Sequence, residues 1–102
     1  MNKTLTIVVP TYNMDRYLER CLDSLILPEM LMERLEVLVV NDGSKDKSSE
    51  IAHSYEKKYP QTFRVIDKEN GNYGSCVNRG LKEATGKYIK NLDLHWMRIF
   101  LL

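Results

Sequence analysis

Residues 36–44 read Glu-Val-Leu-Val-Val-Asn-Asp-Gly-Ser. Four consecutive apolar, mostly β-branched residues form a buried strand rather than a half-exposed one, because no polar residue alternates with them. Asn41-Asp42-Gly43-Ser44 then turns the chain out of the sheet. The same sentence is written upstream. Thr4 to Pro10 (TLTIVVP) is a β-branched run that proline should stop, and Thr11-Tyr12-Asn13 is its polar exit loop. Downstream, Phe63 to Ile66 and Lys87 to Leu92 give two further strands.

Helical spacing fills the gaps. Tyr17, Leu18, Cys21, Leu22, Leu25 and Ile26 recur on one face, with Asn13 or Asp15 as cap and Pro28 as terminator. Met30 to Arg34 leaves room for one helical turn. Ile51, Ala52, Tyr55 and Tyr59 share a face of a second helix, capped by Asp46 or Ser48 and closed by Pro60. Ser75 opens a third, with Val77, Leu81 and Ala84 inward and Gly86 at the C′ position. The order is β-α-β-α-β-α-β, which predicts an α/β fold with a mainly parallel, Rossmann-like sheet. Ligands of such sheets bind beyond the carboxyl ends of the strands. The loops that matter are therefore those at Thr11–Asn13, Asn41–Ser44, the stretch before the third helix, and the end of the fourth strand, read as the most central position.

The chain has 102 residues, 43% hydrophobic and 28% charged, enough for one domain. No run of 18 apolar residues is present, so the sequence carries no membrane span. Lys and Arg total 15 against 14 Asp and Glu, a balance of +1 that argues against a nucleic-acid binder. Residues 1–42 hold 4 basic and 7 acidic side chains, residues 43–102 hold 11 and 7, an asymmetry too weak to name a partner. Cys21 and Cys76 fit no metal spacing and no disulfide framework, and two reduced thiols suit a cytoplasmic protein.

Each loop carries chemistry. Tyr12 offers a face to a planar base and Thr11 a hydroxyl. Asp42 offers a carboxylate to a base N–H or ribose hydroxyl, and Gly43 permits close backbone approach. Asn70-Gly71-Asn72-Tyr73-Gly74 precedes a helix whose N–H groups can face an anion such as a diphosphate. Its spacing is neither that of a dinucleotide fold nor that of a P-loop. Asp93 can hold Mg²⁺ or Mn²⁺, and His95 is a borderline ligand two residues on. His53 reads as solvated on the polar face of its helix.

Taken together, IVVPTYN (7–13), VLVVNDGSKDKS (37–48), KENGNYGSCVNRGLKEATGKYIK (68–90) and Leu92-Asp93 resemble glycosyltransferase family 2, the nucleotide-sugar-dependent transferases of GT-A fold. The likeness implies that Pro10, Thr11, Tyr12 and Asp42 hold the nucleotide base and ribose of a donor, expected to be a UDP-sugar. It implies that Asn70, Gly71, Gly74 and Asn78 border the same pocket, and that a divalent cation (Mn²⁺ or Mg²⁺) on the diphosphate is held at Asp93. The acceptor would be a saccharide or a lipid-linked one, and the setting cytoplasmic or peripheral to the inner face of a membrane.

The chain also departs from the family pattern. Where the family continues Leu-Asp-x-Asp-Asp-Trp, this sequence reads Leu92-Asp93-Leu94-His95-Trp96, so His95 takes the place of the second carboxylate. Asn91 occupies a usually large apolar position. The expectation is a nucleotide-sugar-binding part over residues 1–93 and a divergent apolar tail over 94–102. No Asp or Glu follows Asp93 to act as general base, so a rival expectation is a truncated, inactive nucleotide-binding fragment or interaction module. Self-association through an exposed sheet edge and the tail goes with that rival.

Overall fold

A computed structural model describes residues 3–92, within which the chain alternates strand and helix from end to end. The elements are β1 (Lys3–Thr11), α1 (Asp15–Asp23), α2 (Glu29–Met32), β2 (Leu35–Asp42), α3 (Ser48–Lys58), β3 (Phe63–Lys68), α4 (Tyr73–Glu83) and β4 (Gly86–Asn91). The strands form one sheet in the order β3-β2-β1-β4, and every pairing is parallel. This is the α/β, Rossmann-like arrangement that the alternation predicts.

All eight residues of β2 are buried, which is what a strand covered on both faces requires of its sequence. Leu35, Val37 and Val39 face the larger core, with Val9, Leu18, Cys21, Leu22, Ala52 and Phe63 from the neighbouring strands and from α1 and α3. Phe63 lies between the rings of Tyr55 and Tyr59, at centroid distances of 5.6 and 5.7 Å. Full burial of a side chain such as Leu18 or Leu22 stabilises the fold by about 2 kcal/mol. The opposite face is thinner. There Val8, Val40, Ile66 and Cys76 form a small apolar cluster. Beside it, Glu36 is buried and accepts from the Thr6 hydroxyl and the Thr85 N–H, both at 2.8 Å.

The structure moves several expected boundaries. Pro10 does not end β1: it pairs in register with Val40, and the strand runs on to Thr11. Leu92 N–H donates to the Val8 carbonyl, so Val8, and Pro10 two residues on, turn their backbone toward β4 just where that pairing finishes. The next bond of that ladder would run from the residue 10 N–H to the Leu92 carbonyl; Pro10 cannot supply it, so among the described residues the β1–β4 pairing stops at Val8 and Asn91. Helix α1 stops at Asp23, and Pro28 instead precedes the single turn of α2. Gly86 is not a helix C′ residue. It opens β4, where a Cβ would fall 2.5 Å from the Thr6 nitrogen. The fourth strand is not central but lies at the sheet edge among the described residues, with Lys87 to Asn91 all exposed.

Candidate functional site

The carboxyl ends of β1, β2 and β3 meet the amino end of α4 in a cleft of about 320 Å³. Pro10, Thr11, Tyr12, Asp42, Asn70, Gly71, Asn72, Tyr73 and Cys76 line it. Six of the residues singled out in the sequence thus come together from three separate loops. Gly74 and Asn78 sit exposed on α4 and are not part of that lining. Asp93 and His95 lie outside the described residues.

Asp42 forms the floor and is 5% exposed. Its Oδ1 accepts from Lys68 Nζ at 2.7 Å and from the Gly71 N–H at 2.8 Å. Burial pushes the carboxyl upward, but the hydrogen bonds from Lys68 and Gly71 and the Lys68 charge outweigh it and hold Asp42 below its ordinary pKa. The floor of the cleft is an ionised, charge-balanced carboxylate.

The loop geometry follows from close packing around that group. Gly43 has φ +70°, and a Cβ there would also fall 2.8 Å from the Asn70 nitrogen. The space lets Asn70 Nδ2 donate to the Asp42 carbonyl at 2.9 Å. A Cβ on Gly71 would fall 2.6 Å from Ser75 Oγ. Asn72 caps α4: its side chain accepts from the Ser75 N–H at 2.8 Å while Ser75 Oγ accepts from the Asn72 N–H at 3.1 Å. The cap begins three residues before Ser75, so Ser75 is the second half of a capping box rather than the first residue of the helix.

Tyr12 and Tyr73 stand at the rim, 48% and 53% exposed, each offering a ring to the cleft. Thr11 is buried, and its hydroxyl donates to the Val9 carbonyl at 3.1 Å. It therefore offers lone pairs to the cleft rather than a proton.

Asn13 and Asp15, expected as helix caps, do something else. Asn13 adopts φ +49° and lies against the second loop, accepting from the Lys45 N–H through Oδ1 at 2.8 Å. Asp46 Oδ2 accepts from the Asp15 N–H, and Asp46 Oδ1 from the Ser48 N–H. His53 is not merely solvated: it bridges Glu56 and Asp67, and Asp67 accepts from Asn41 Nδ2 at 2.8 Å. Lys68 and Tyr73 were missed in the sequence. The single available signal was their position flanking the Asn-Gly-Asn loop.

Among the described residues no three His, Cys, Asp or Glu side chains gather as a metal site. Asp42, the one carboxylate in the cleft, is already balanced by Lys68. No helix among these residues is long and apolar enough to cross a membrane.

A parallel sheet whose strand ends border a cleft with a buried carboxylate at its floor is an α/β architecture that places a ligand beyond the carboxyl ends of its strands. The profile of glycosyl transferase family 2 matches residues 6–96, and the chain belongs to that family. It is 38% identical over 92 residues to the minor teichoic acid biosynthesis protein GgaB of Bacillus subtilis, covering 90% of this chain and 10% of GgaB. It is 41% identical over 90 residues to the uncharacterized glycosyltransferase MG025 of Mycoplasma genitalium, covering 86% and 30%. Among solved structures, the mannosyltransferase PcManGT of Pyrobaculum calidifontis, in complex with GDP-Man and Mn²⁺, superposes with a TM-score of 0.79 at 25% identity, covering 91% of this chain and 28% of that one. Residues 1–349 of S. aureus TarS, in complex with UDP, give 0.75 at 30% identity, covering 88% and 27%. The chain thus spans a tenth to about a third of the length of these relatives.

Proposed function

We propose that this chain supplies the nucleotide-sugar-binding part of a family 2 glycosyltransferase, formed by residues 1–93. The donor is a UDP-sugar, and the glycosyl group passes to a saccharide or lipid-linked acceptor on the cytoplasmic side. The observation that carries this reading is the convergence of Pro10, Thr11, Tyr12, Asp42, Asn70 and Gly71 on one cleft at the strand ends, with an ionised carboxylate at its floor. UDP in the TarS structure and GDP-Man in the PcManGT structure support a nucleoside diphosphate donor.

Within this reading the Tyr12 ring stacks on the base and Asp42 accepts from a base N–H or a ribose hydroxyl. The Mn²⁺ bound by PcManGT supports a divalent cation, which we assign to Asp93 and His95. A cation held there would neutralise the charge of the leaving diphosphate. Titration calorimetry with UDP tests the assignment. Asp42→Ala should weaken binding by about 1–3 kcal/mol, the cost of a lost hydrogen bond to a charged group. Equal affinity of the two chains would remove Asp42 from the site and this reading with it.

A further inference from the structure

Among the described residues Lys68 is the one ammonium that reaches the cleft floor, and all three of its donors are already placed. Nζ donates to Asp42 Oδ1 at 2.7 Å, to the Glu69 carbonyl at 2.7 Å and to Ser75 Oγ at 3.0 Å. An ammonium has three N–H donors, so Lys68 has none left for a phosphate. Its side chain is 14% exposed, and it does not line the cleft. A basic residue beside a nucleotide site would ordinarily be read as a phosphate ligand. The hydrogen bonds here describe a residue turned away from the ligand and toward the carboxylate.

Resting on the function proposed above, we infer that Lys68 is the positioning residue for Asp42: it pins Oδ1 from beneath so that the carboxylate meets the nucleoside, not the diphosphate, in one fixed orientation. Three observations converge on this. Oδ1 is held from two sides, by Lys68 on β3 and by the Gly71 N–H. Ser75, which receives the third Lys68 donor bond, is also the N3 residue of the α4 capping box. The loop at Gly71 has no room for a Cβ beside Ser75 Oγ or Lys68 Nζ. Strand β3, the Asn-Gly-Asn loop and α4 thus all register on one ammonium. The other titratable groups facing the cleft with Asp42 are the Cys76 thiol and Tyr73 on α4 and Tyr12 after β1. None of them supplies positive charge: Lys68 is the cation that, together with the Gly71 and Cys76 hydrogen bonds, holds the buried carboxylate ionised.

The test uses the full chain and two probes, uridine and UDP, with binding followed by chemical-shift titration. Lys68→Met should weaken both probes equally, by roughly tenfold to a hundredfold at pH 7. In an Asp42→Asn background the same change should add nothing, because the group it positions is gone. Uridine binding by the unaltered chain should be flat between about pH 5 and 8, whereas in Lys68→Met it should fall by about a further tenfold toward pH 5 as the unpaired buried carboxyl protonates. A loss confined to UDP would make Lys68 a phosphate ligand and overturn the inference. So would an unchanged affinity for both probes. Should Lys68→Met fail to fold, the uridine profile of the unaltered chain decides: a fall within that pH range means that Asp42 is not held ionised, and the inference fails. Absence of any uridine or UDP binding by the unaltered chain overturns the parent reading as well.

Discussion

The Asn13 N–H donates to Ser44 Oγ at 3.0 Å, joining the exit loop of β1 to that of β2 across 31 residues of sequence. The partner bond runs the other way, from the Lys45 N–H to Asn13 Oδ1. Next to them Ser48 Oγ accepts from the Met14 N–H at 3.0 Å. Two loops that each carry a wall of the cleft are laced into one unit before any ligand arrives. Asn13 is suited to this because asparagine tolerates the left-handed backbone it adopts.

Substitution at Asn13 separates the two contributions. Asn13→Gly keeps the backbone conformation and loses the side-chain bond to Lys45, so it should cost about 1 kcal/mol. Asn13→Ala adds the strain of a positive φ and should cost about 1 kcal/mol more. Urea denaturation of the two variants measures the difference, and identical midpoints would show that the backbone there carries no strain.

The His53 bridge makes stability depend on pH. Hydrogen bonds to Asp67 and then Glu56 raise the imidazole above its ordinary 6.5. Its contribution is complete below that value and fades as pH climbs through the raised one. Asp67 behaves oppositely. Burial favours its neutral form, but hydrogen bonds from Asn41, His53 and Ser49 lower it, so its contribution holds above 3.8 and fades as pH falls through the lowered value. Thermal melts should therefore be highest in the mildly acidic range and decline toward pH 8. His53→Gln should flatten the alkaline decline. The groups are about half exposed, so the effect is small and weakens with salt.

Helix α4 touches the sheet through Gly80. A Cβ there would fall 2.4 Å from Val8 Cγ1. Gly80→Ala should thus destabilise the fold by about 1–3 kcal/mol through overpacking, despite alanine's better helix propensity. Val8→Ala in the same chain should recover part of that loss. A stabilised Gly80→Ala would mean that α4 sits farther from β1 than described.

The two thiols should differ in reactivity. Burial lifts Cys21 to about 12 and also raises Cys76. Cys21 lies on the buried face of α1 in the larger core, whereas Cys76 lines the cleft. Iodoacetamide at neutral pH should label Cys76 slowly and Cys21 not at all, and UDP should slow Cys76 further. Labelling of Cys21 on the same timescale would refute this ordering.

Local pattern was enough to read the alternation of strands and helices, because β2 and the α1 face carry their periodicity in adjacent residues. The cleft was legible to the extent that its walls are loops of turn-forming residues at strand ends: Pro10, Thr11, Tyr12, Asp42, Asn70 and Gly71 all reach it. What stayed hidden depends on partners distant in sequence. Asn13 looks like a cap until Ser44 and Lys45 are beside it, and nothing in its own neighbours marks Lys68 until Asp42 is. That β4 lies at the edge of the described sheet is not legible in its residues, because strand order is set by crossovers, which leave no mark in the strand itself.

The unequal faces of the sheet bear on how the molecule breathes. Central β2 has every side chain out of water, and its amides should be the last to exchange with deuterium. Among the described residues β4 shares one ladder with β1 and shows five exposed residues, so it should exchange early. The cleft draws its walls from β1, β2, β3 and the start of α4. A fluctuation that peels β4 away would therefore leave the cleft standing, and occupancy of that cleft should slow exchange around Asp42 and Gly71 without protecting β4.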